Sequence, residues 1–483
     1  MSHETFEKLR TLAAQVRARP QAGGELRICE AAGIELDYSK SFLTAEAAAL
    51  LEKLAKDTAL AGQFKAMAAG EKINTTEGRA VEHVKLRPSS PETAAMLPFA
   101  EQLRAGEIKG CTGESLNHVL HIGIGGSYLG PRLLYEALGD GKISCDFVAN
   151  ADPAAIDQAL AACDPARTLI VAVSKSGTTP ETIQNAQVAL EHFRTALGQE
   201  PAGHLAYVST KEEAMKGALG EGRYLAMDES IGGRYSVWSA VSLAAAAACG
   251  AKRFEEFLAG AHEMDEHVLA ASGWENIAVA KALVHLWQQL VWEAQTHCVV
   301  VYANRLRSLP AYLQQLVMES NGKSVTKAGE PVPLPSSPIW WGGEGTNEQH
   351  SYFQLLLQGS HRIPLDFVYA RQPEDPAQLA RHRELVAHCL GQSNAMHYGF
   401  DLDACKAALK ENEPAELAPH KVVPGLQPVN LLACERLDAR RLGALIALYE
   451  HAVAALGWIW GINSFDQWGV EFGKSNYKKV LAA

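Results

Sequence analysis

Hydroxyls and one ammonium crowd into a single decapeptide, Val173 to Thr182, which reads Val-Ser-Lys-Ser-Gly-Thr-Thr-Pro-Glu-Thr. Ser174, Ser176, Thr178, Thr179 and Thr182 bring hydroxyls, and Lys175 brings charge. The apolar run Leu169 to Val173 before it and the helical pattern from Glu181 towards Leu197 after it predict strand, loop and helix N-terminus. Thr179 stands where a cap belongs, and Pro180 takes the first helical position, whose N–H needs no partner. Unpaired N–H groups and the positive end of the helix dipole would then face one small volume, as in a phosphate site. Taken alone, the turn also reads as an ordinary hydroxyl-rich helix cap.

Groups suited to proton transfer lie further on. Gln315-Leu-Val-Met-Glu319-Ser-Asn-Gly322 puts an amide and a carboxylate one helical turn apart on one face. Near a helix C-terminus and beside Met318, the charge of Glu319 would be disfavoured, which suits a general base; a solvated terminal Glu is the alternative. Gly232-Gly233-Arg234-Tyr235-Ser236 offers a planar, permanently charged donor for an oxyanion, or a surface salt bridge. Gly345-Thr-Asn-Glu-Gln-His350 predicts a turn entering a helix, with His350 in its first turns as either a catalyst or a structural hydrogen-bonder. In Phe465 to Lys474, Gln467 and Lys474 share a face if helical, whether for chemistry or as a solvated polar side.

Two nucleotide fingerprints fail. Gly123-Ile-Gly125-Gly126-Ser127-Tyr128 has Tyr128 where the dinucleotide motif needs a third glycine. Gly125 to Gly130 has Walker-A spacing, but Pro131-Arg132 follows instead of Lys-Ser/Thr. What remains is a turn that lets backbone approach a ligand, with Ser127 as donor, or a turn with a packing role only. Metal chemistry finds little support, since His262 and His267 are five apart and His118 and His121 fall on opposite faces of a strand.

These groups need a frame, and the chain is long enough to build one. Its 483 residues allow several domains with substantial cores. The net charge of −11 argues against nucleic-acid binding. The nine scattered cysteines, an odd number without Cys-x-x-Cys, fit reduced thiols, not a disulfide framework or a zinc site. The N-terminus lacks the layout of a signal peptide, and Leu243 to Cys249 is too short to span a bilayer. A cytoplasmic protein with no membrane partner is the expectation.

Residues 1–100 read as helical, with a cap-and-turn interruption at Asn74 to Arg79. From Asn117, strands alternate with helices: His118 to Ile124, a glycine turn, then a helix starting at Pro131; Asp146 to Asn150 and Ala154 to Ala162; Thr168 to Val173; His204 to Ser209. A long helix is expected over Val237 to Ala248, and further helices over Phe254 to Ala270 and Asn276 to Gln295. A second alternating region follows, with strands at Cys298 to Ala303, Ile339 to Trp341 and Pro364 to Tyr369. Its helices are expected at Leu309 to Glu319, Asn347 to Gln358 and Gln378 to Gly391, ahead of C-terminal helices from Arg440 and from Phe465. The pattern predicts two α/β domains with parallel sheets covered on both faces, ligands sitting at the carboxyl ends of the strands.

Several long segments together resemble the glucose-6-phosphate isomerase (phosphoglucose isomerase) family. They are Asp228-Glu-Ser-Ile-Gly-Gly-Arg-Tyr-Ser-Val-Trp-Ser, Gly457 to Lys474, the Gly-Ile-Gly-Gly-Ser turn, the Ser-Lys-Ser-Gly-Thr-Thr loop, Met-Glu-Ser-Asn-Gly-Lys and Gly-Thr-Asn-Glu-Gln-His. The resemblance runs from about Asn74 to Lys474 in family order. It implies two sugar-isomerase domains, at 101–275 with the phosphate loop and 276–440 with the base. A helical segment (1–100) would pack on the core, and C-terminal helices (441–483) would complete the site. It implies a homodimer that interconverts glucose 6-phosphate and fructose 6-phosphate through an enediol, without metal or other cofactor.

By the same resemblance, Gly126, Ser127, Ser174, Lys175, Ser176, Gly177, Thr178 and Thr179 contact substrate, mainly its phosphate. Glu319 is the base, Arg234 stabilises the intermediate, and Gln315 and Gln467 position substrate. His350, reaching the neighbouring subunit's site, and Lys474 handle ring opening. Departures are Tyr128 in place of an aspartate, Pro180 after the loop, Glu348 before Gln349-His350, and charged Glu82 and Lys85 near the N-terminus. An isomerase of another phosphosugar, such as mannose 6-phosphate, and a non-catalytic sugar-phosphate sensor are the competing readings. A sensor could discard the base, so the presence of Glu319, His350 and Lys474 argues against it.

Overall fold

The computed structural model describes residues 3–87 and 89–482, without the side chains of His3, Lys474, Ser475, Tyr477, Lys478, Leu481 and Ala482. The first hundred residues hold the helices His3–Ala18, Ala45–Asp57, Leu60–Ala69 and Pro91–Arg104. They also hold a hairpin, β1 (Ile28–Ala31) and β2 (Ile34–Lys40), where a purely helical segment was expected. Its turn, Ala32-Gly33, has positive φ at both residues, 49° and 71°, the twist that joins two antiparallel strands. Along β2, Ile34, Leu36 and Tyr38 point inward while Glu35 and Asp37 are only partly covered, the period of two that defines a half-buried strand.

Five parallel strands form the first sheet: β3 (His118–Ile122), β4 (Ser144–Val148), β5 (Thr168–Val173), β6 (Leu205–Ser209) and β7 (Arg223–Ala226), in the order β4-β3-β5-β6-β7. Every residue of β5 is buried, which explains its unbroken apolar run between two layers of helices. The chain winds outwards in both directions from β3 and β5, so their carboxyl ends open a crevice. The second sheet has the same plan. β8 (Thr296–Tyr302), β9 (Ile339–Glu344), β10 (Leu365–Ala370) and β11 (Val429–Cys434) run parallel in the order β11-β10-β8-β9. The N-terminal hairpin extends this sheet antiparallel beyond β11. The α/β class with parallel-rich sheets and helices at both termini is therefore as expected.

Helix ends near the site differ from expectation. The glycine turn does not wait for Pro131: the helix starts at Gly126 and runs to Leu138. The long helix expected over Val237 to Ala248 is broken into tight 3-10 turns, Gly233–Trp238 and Ala240–Ser242, before a short helix Leu243–Cys249. Ser239 and Ser242 interrupt it by bonding backbone carbonyls of Ser236 and Val237. The helix expected over Asn347 to Gln358 splits into Gly345–Glu348 and Phe353–Gln358. Between the sheets, Ala251–Ala270 crosses Ala439–Trp460 closely enough that a Cβ on Gly443 would lie 1.9 Å from the Phe257 carbonyl. Ala439–Trp460 is long and apolar enough to cross a membrane, and from Leu442 to Trp460 every residue is buried inside the protein.

Candidate active site

A cleft of about 610 Å³ opens at the carboxyl ends of β3 and β5. One side of it is built by the loop after β5. The Ser174 N–H still bonds the Val208 carbonyl, continuing the sheet, and the chain then turns through Gly177 into the helix Pro180–Leu197. Thr179 occupies the cap position, as predicted, but no side chain caps the helix. Its hydroxyl pairs instead with Ser174 Oγ at 2.8 Å. The leading N–H groups of an eighteen-residue helix are therefore left without a side-chain acceptor.

Lys175, Ser176 and Thr179 border the cleft; Ser174, Gly177 and Thr178 shape the loop without bordering it. The Lys175 ammonium is held by the carbonyls of Glu229 (2.8 Å) and Ile231 (2.7 Å). Burial, aided by the Arg79 charge, pushes its pKa down to about 8. Arg79 also borders the cleft and donates to the same Glu229 carbonyl at 3.0 Å, so two cations converge there. Sequence reasoning passed over Arg79, although the turn that carries it had been marked by its Asn74-Thr-Thr-Glu-Gly spacing.

The glycine turn forms the adjoining wall with Gly125, Gly126 and Ser127. A Cβ on Gly126 would lie 2.0 Å from the Gly233 carbonyl, so glycine is what lets this helix start touch the Arg234 turn. Tyr128 points elsewhere: its hydroxyl bonds Arg132, its ring lies edge-on to Phe147, and it does not border the cleft. The Arg234 segment is bracketed from outside by Glu92, whose carboxylate accepts the N–H groups of Asp228 (2.8 Å) and Ala240 (3.2 Å).

Glu319 and Gln315 come from the second half of the chain. The helix Leu309–Leu313 widens into π-helical turns over Gln314–Glu319, the rare form that redirects side chains at functional sites. Gln315 Nε2 donates to Glu319 Oε2 at 3.0 Å, which realises the shared face read from their spacing. The same oxygen stands 3.5 Å from Arg234 Nη1, and Glu319 Oε1 has no partner among the described residues. Arg234 is 2% exposed. Its Nε donates to Ser320 Oγ (2.7 Å), Nη1 to Gln467 Oε1 (3.0 Å), and Nη2 to the carbonyls of Ser464 (2.7 Å) and Asp466 (3.1 Å). Gln467 thus joins the site through its amide oxygen.

Two predicted residues are not gathered here. His350 lies exposed in the turn between two short helices and does not border the cleft of its own chain. The side chain of Lys474 lies outside the described residues; its helix, Trp468–Ala482, reaches the cleft through Val470 and Glu471. Among the described residues, no group of three or more His, Cys, Asp or Glu is arranged to hold a metal ion, and the nine cysteines are unpaired.

Comparison with known proteins matches residues 37–483 to the family model of phosphoglucose isomerase. The glucose-6-phosphate isomerase of Shewanella halifaxensis is 43% identical over 479 residues, covering 94% of this chain and 88% of that protein. The one from Paraburkholderia phytofirmans is 42% identical over 466 residues, covering 93% and 86%. Among solved structures, a glucose-6-phosphate isomerase from Chlamydia trachomatis aligns at a TM-score of 0.87 with 29% identity, covering all of this chain and 96% of that one. A hypothetical protein from Thermus thermophilus aligns at 0.72 with 25% identity, covering 93% and 100%.

Proposed function

The chain belongs to the phosphoglucose isomerase family, and from that premise we propose how its cleft interconverts glucose 6-phosphate and fructose 6-phosphate. The phosphate sits against Ser127, Ser176, Thr179 and the open helix N-terminus, with Lys175 supplying charge. Glu319 takes the proton from C2 of the opened aldose and returns it at C1. A hydroxyl proton passes from O2 to O1, so aldehyde becomes ketone with no external electron carrier. Arg234 stabilises the negative charge of the enediolate, and Gln315 and Gln467 orient the two reacting groups.

The observation that carries this reading is the pairing at 3.5 Å of a buried guanidinium with a carboxylate whose second oxygen has no partner among the described residues, on one cleft wall. Ring opening falls to Lys474 and to His350. The exposed turn holding His350 fits delivery to the cleft of a second copy, so we assign the working form as a homodimer.

The test is an assay on fructose 6-phosphate with mannose 6-phosphate as control. Failure to form glucose 6-phosphate would overturn the assignment. Glu319→Gln is expected to keep phosphosugar binding and to lose exchange of the C1/C2 proton with solvent. Wild-type exchange in that variant would mean another residue is the base.

A further inference from the structure

Lys323 follows Glu319 by one helical turn, closes the Met-Glu-Ser-Asn-Gly-Lys segment, and does not border the 610 Å³ cleft. Its side chain is 17% exposed. The ammonium donates to the main-chain carbonyls of Glu319 (2.9 Å), Ser320 (2.8 Å) and Asp466 (3.0 Å), and lies 3.4 Å from the Asp466 carboxylate. An ammonium has three N–H donors, so these carbonyls occupy all of them. Two of the carbonyls end the helix that carries the base, where no N–H of the helix is left to pair with them. The third precedes Gln467 on a loop far downstream in the chain. That Asp466 carbonyl also accepts from Arg234 Nη2 at 3.1 Å, so both of its lone pairs are in use.

We propose that Lys323 is a positioning residue for the isomerisation, fixing the Glu319 carboxylate, the Arg234 guanidinium and the Gln467 amide in one frame without touching substrate. The inference rests on Glu319 being the base. Burial, reinforced by the Arg234 charge, pushes the ammonium's pKa down to about 8 against the opposing pull of Asp466 and Glu319, the other charges that face it. A neutral side chain of the same length would take this donor from the Glu319 and Ser320 carbonyls and leave the Asp466 carbonyl with Arg234 alone. It would also let the ends of two segments drift apart by fractions of an ångström, a scale on which proton transfer is sensitive.

The test is Lys323→Met beside Lys323→Arg and Glu319→Gln. Lys323→Met is expected to lower kcat by roughly ten- to a hundredfold, while KM for fructose 6-phosphate and inhibition by inorganic phosphate stay within about twofold. Label at C2 should partition more to solvent and less to C1, because a displaced carboxylate holds the proton longer before returning it. A merely structural role would not move that partition. Lys323→Arg should recover only part of kcat, since a planar fork cannot converge on three carbonyls as an ammonium does. Were Lys323→Met not to fold, the label partition of Lys323→Arg carries the test. Wild-type kcat and partition in the Lys323 variants, with Glu319→Gln inactive, overturn the inference and leave the base intact. Wild-type solvent exchange in Glu319→Gln overturns the premise instead.

Discussion

Replacing Arg234 with lysine separates charge from geometry. A guanidinium has five N–H donors. Four are held by Ser320 Oγ, Gln467 Oε1 and the carbonyls of Ser464 and Asp466. The fifth, on Nη1, makes no hydrogen bond among the described residues, and Nη1 stands 3.5 Å from Glu319 Oε2. In the proposed mechanism it is the donor that meets the enediolate. A lysine ammonium keeps the charge but has three donors and no fork, so it cannot hold those acceptors and also point at substrate. Loss of one preorganised donor to a developing oxyanion costs about 10²–10³ in kcat, or ~2.7–4 kcal/mol. In the proposed reading the loop after β5 holds the phosphate, so KM should stay within about threefold. Each buried carbonyl that loses its donor adds about 1–3 kcal/mol of destabilisation, which should appear as a lower Tm. Steady-state formation of glucose 6-phosphate from fructose 6-phosphate, with thermal unfolding alongside, measures both. A variant that keeps kcat within tenfold of wild type, or loses activity through KM alone, would refute the assignment of Arg234 to the intermediate.

Lys175, with its pKa pushed down to about 8 by burial and the Arg79 charge, loses its proton as pH rises through that value. Binding of the phosphate dianion should therefore weaken above pH 8, giving kcat/KM an alkaline limb. Lys175→Arg should move that limb upward because a guanidinium stays protonated; a limb left in place would mean that another group controls it. Chains carrying Glu319→Gln and chains carrying His350→Ala should each be nearly inactive. If His350 serves the neighbouring cleft, mixed dimers contain one site with both lesions and one with neither, so random re-pairing should restore about a quarter of wild-type activity. No recovery after verified subunit exchange would place His350 in its own chain's site or outside the reaction.

What the sequence made legible were groups whose partners are side chains or whose surroundings follow a period. The apolar run of β5 and Pro180 mark a strand and a helix start, and both lie where they are expected, with three of the loop's residues, Lys175, Ser176 and Thr179, on the cleft. The amide and carboxylate of Gln315 and Glu319 meet because they are four residues apart. Thr179 was the cap by position, yet its hydroxyl found Ser174, a competition between two local hydrogen bonds that spacing does not decide. The hairpin of β1 and β2 was missed because its turn is Ala32-Gly33, without the Asn-Gly or Asp-Gly that announces a reversal. Arg79 and Lys323 were missed for a different reason. Beside ion pairs with Glu77 and Asp466, the contacts that tie them to the site run to the main-chain carbonyls of Glu229, Glu319, Ser320 and Asp466, and a carbonyl leaves no mark in the choice of residue.

In the proposed mechanism, the base and the cation needed for one intermediate attract each other before substrate arrives. Left to themselves, Arg234 and Glu319 would close into a two-pronged salt bridge, the favoured geometry for a guanidinium and a carboxylate. The pair is instead held open at 3.5 Å. On one side Gln315 engages Glu319 Oε2, and on the other four acceptors anchor the guanidinium. Among the described residues Glu319 Oε1 has no partner and one Arg234 N–H makes no hydrogen bond; in the proposed mechanism the first takes the proton and the second meets the oxygen charge that develops as the proton leaves. These anchors come from three remote segments: the Arg234 turn pressed on Gly126, the π-helical end of Gln314–Glu319, and the loop Ser464–Gln467. No single segment could both supply such a pair and keep it from collapsing. The reaction therefore requires a chain that brings the β5 cradle, the base and the C-terminal loop to one cleft, since the opposing forces must act from different directions.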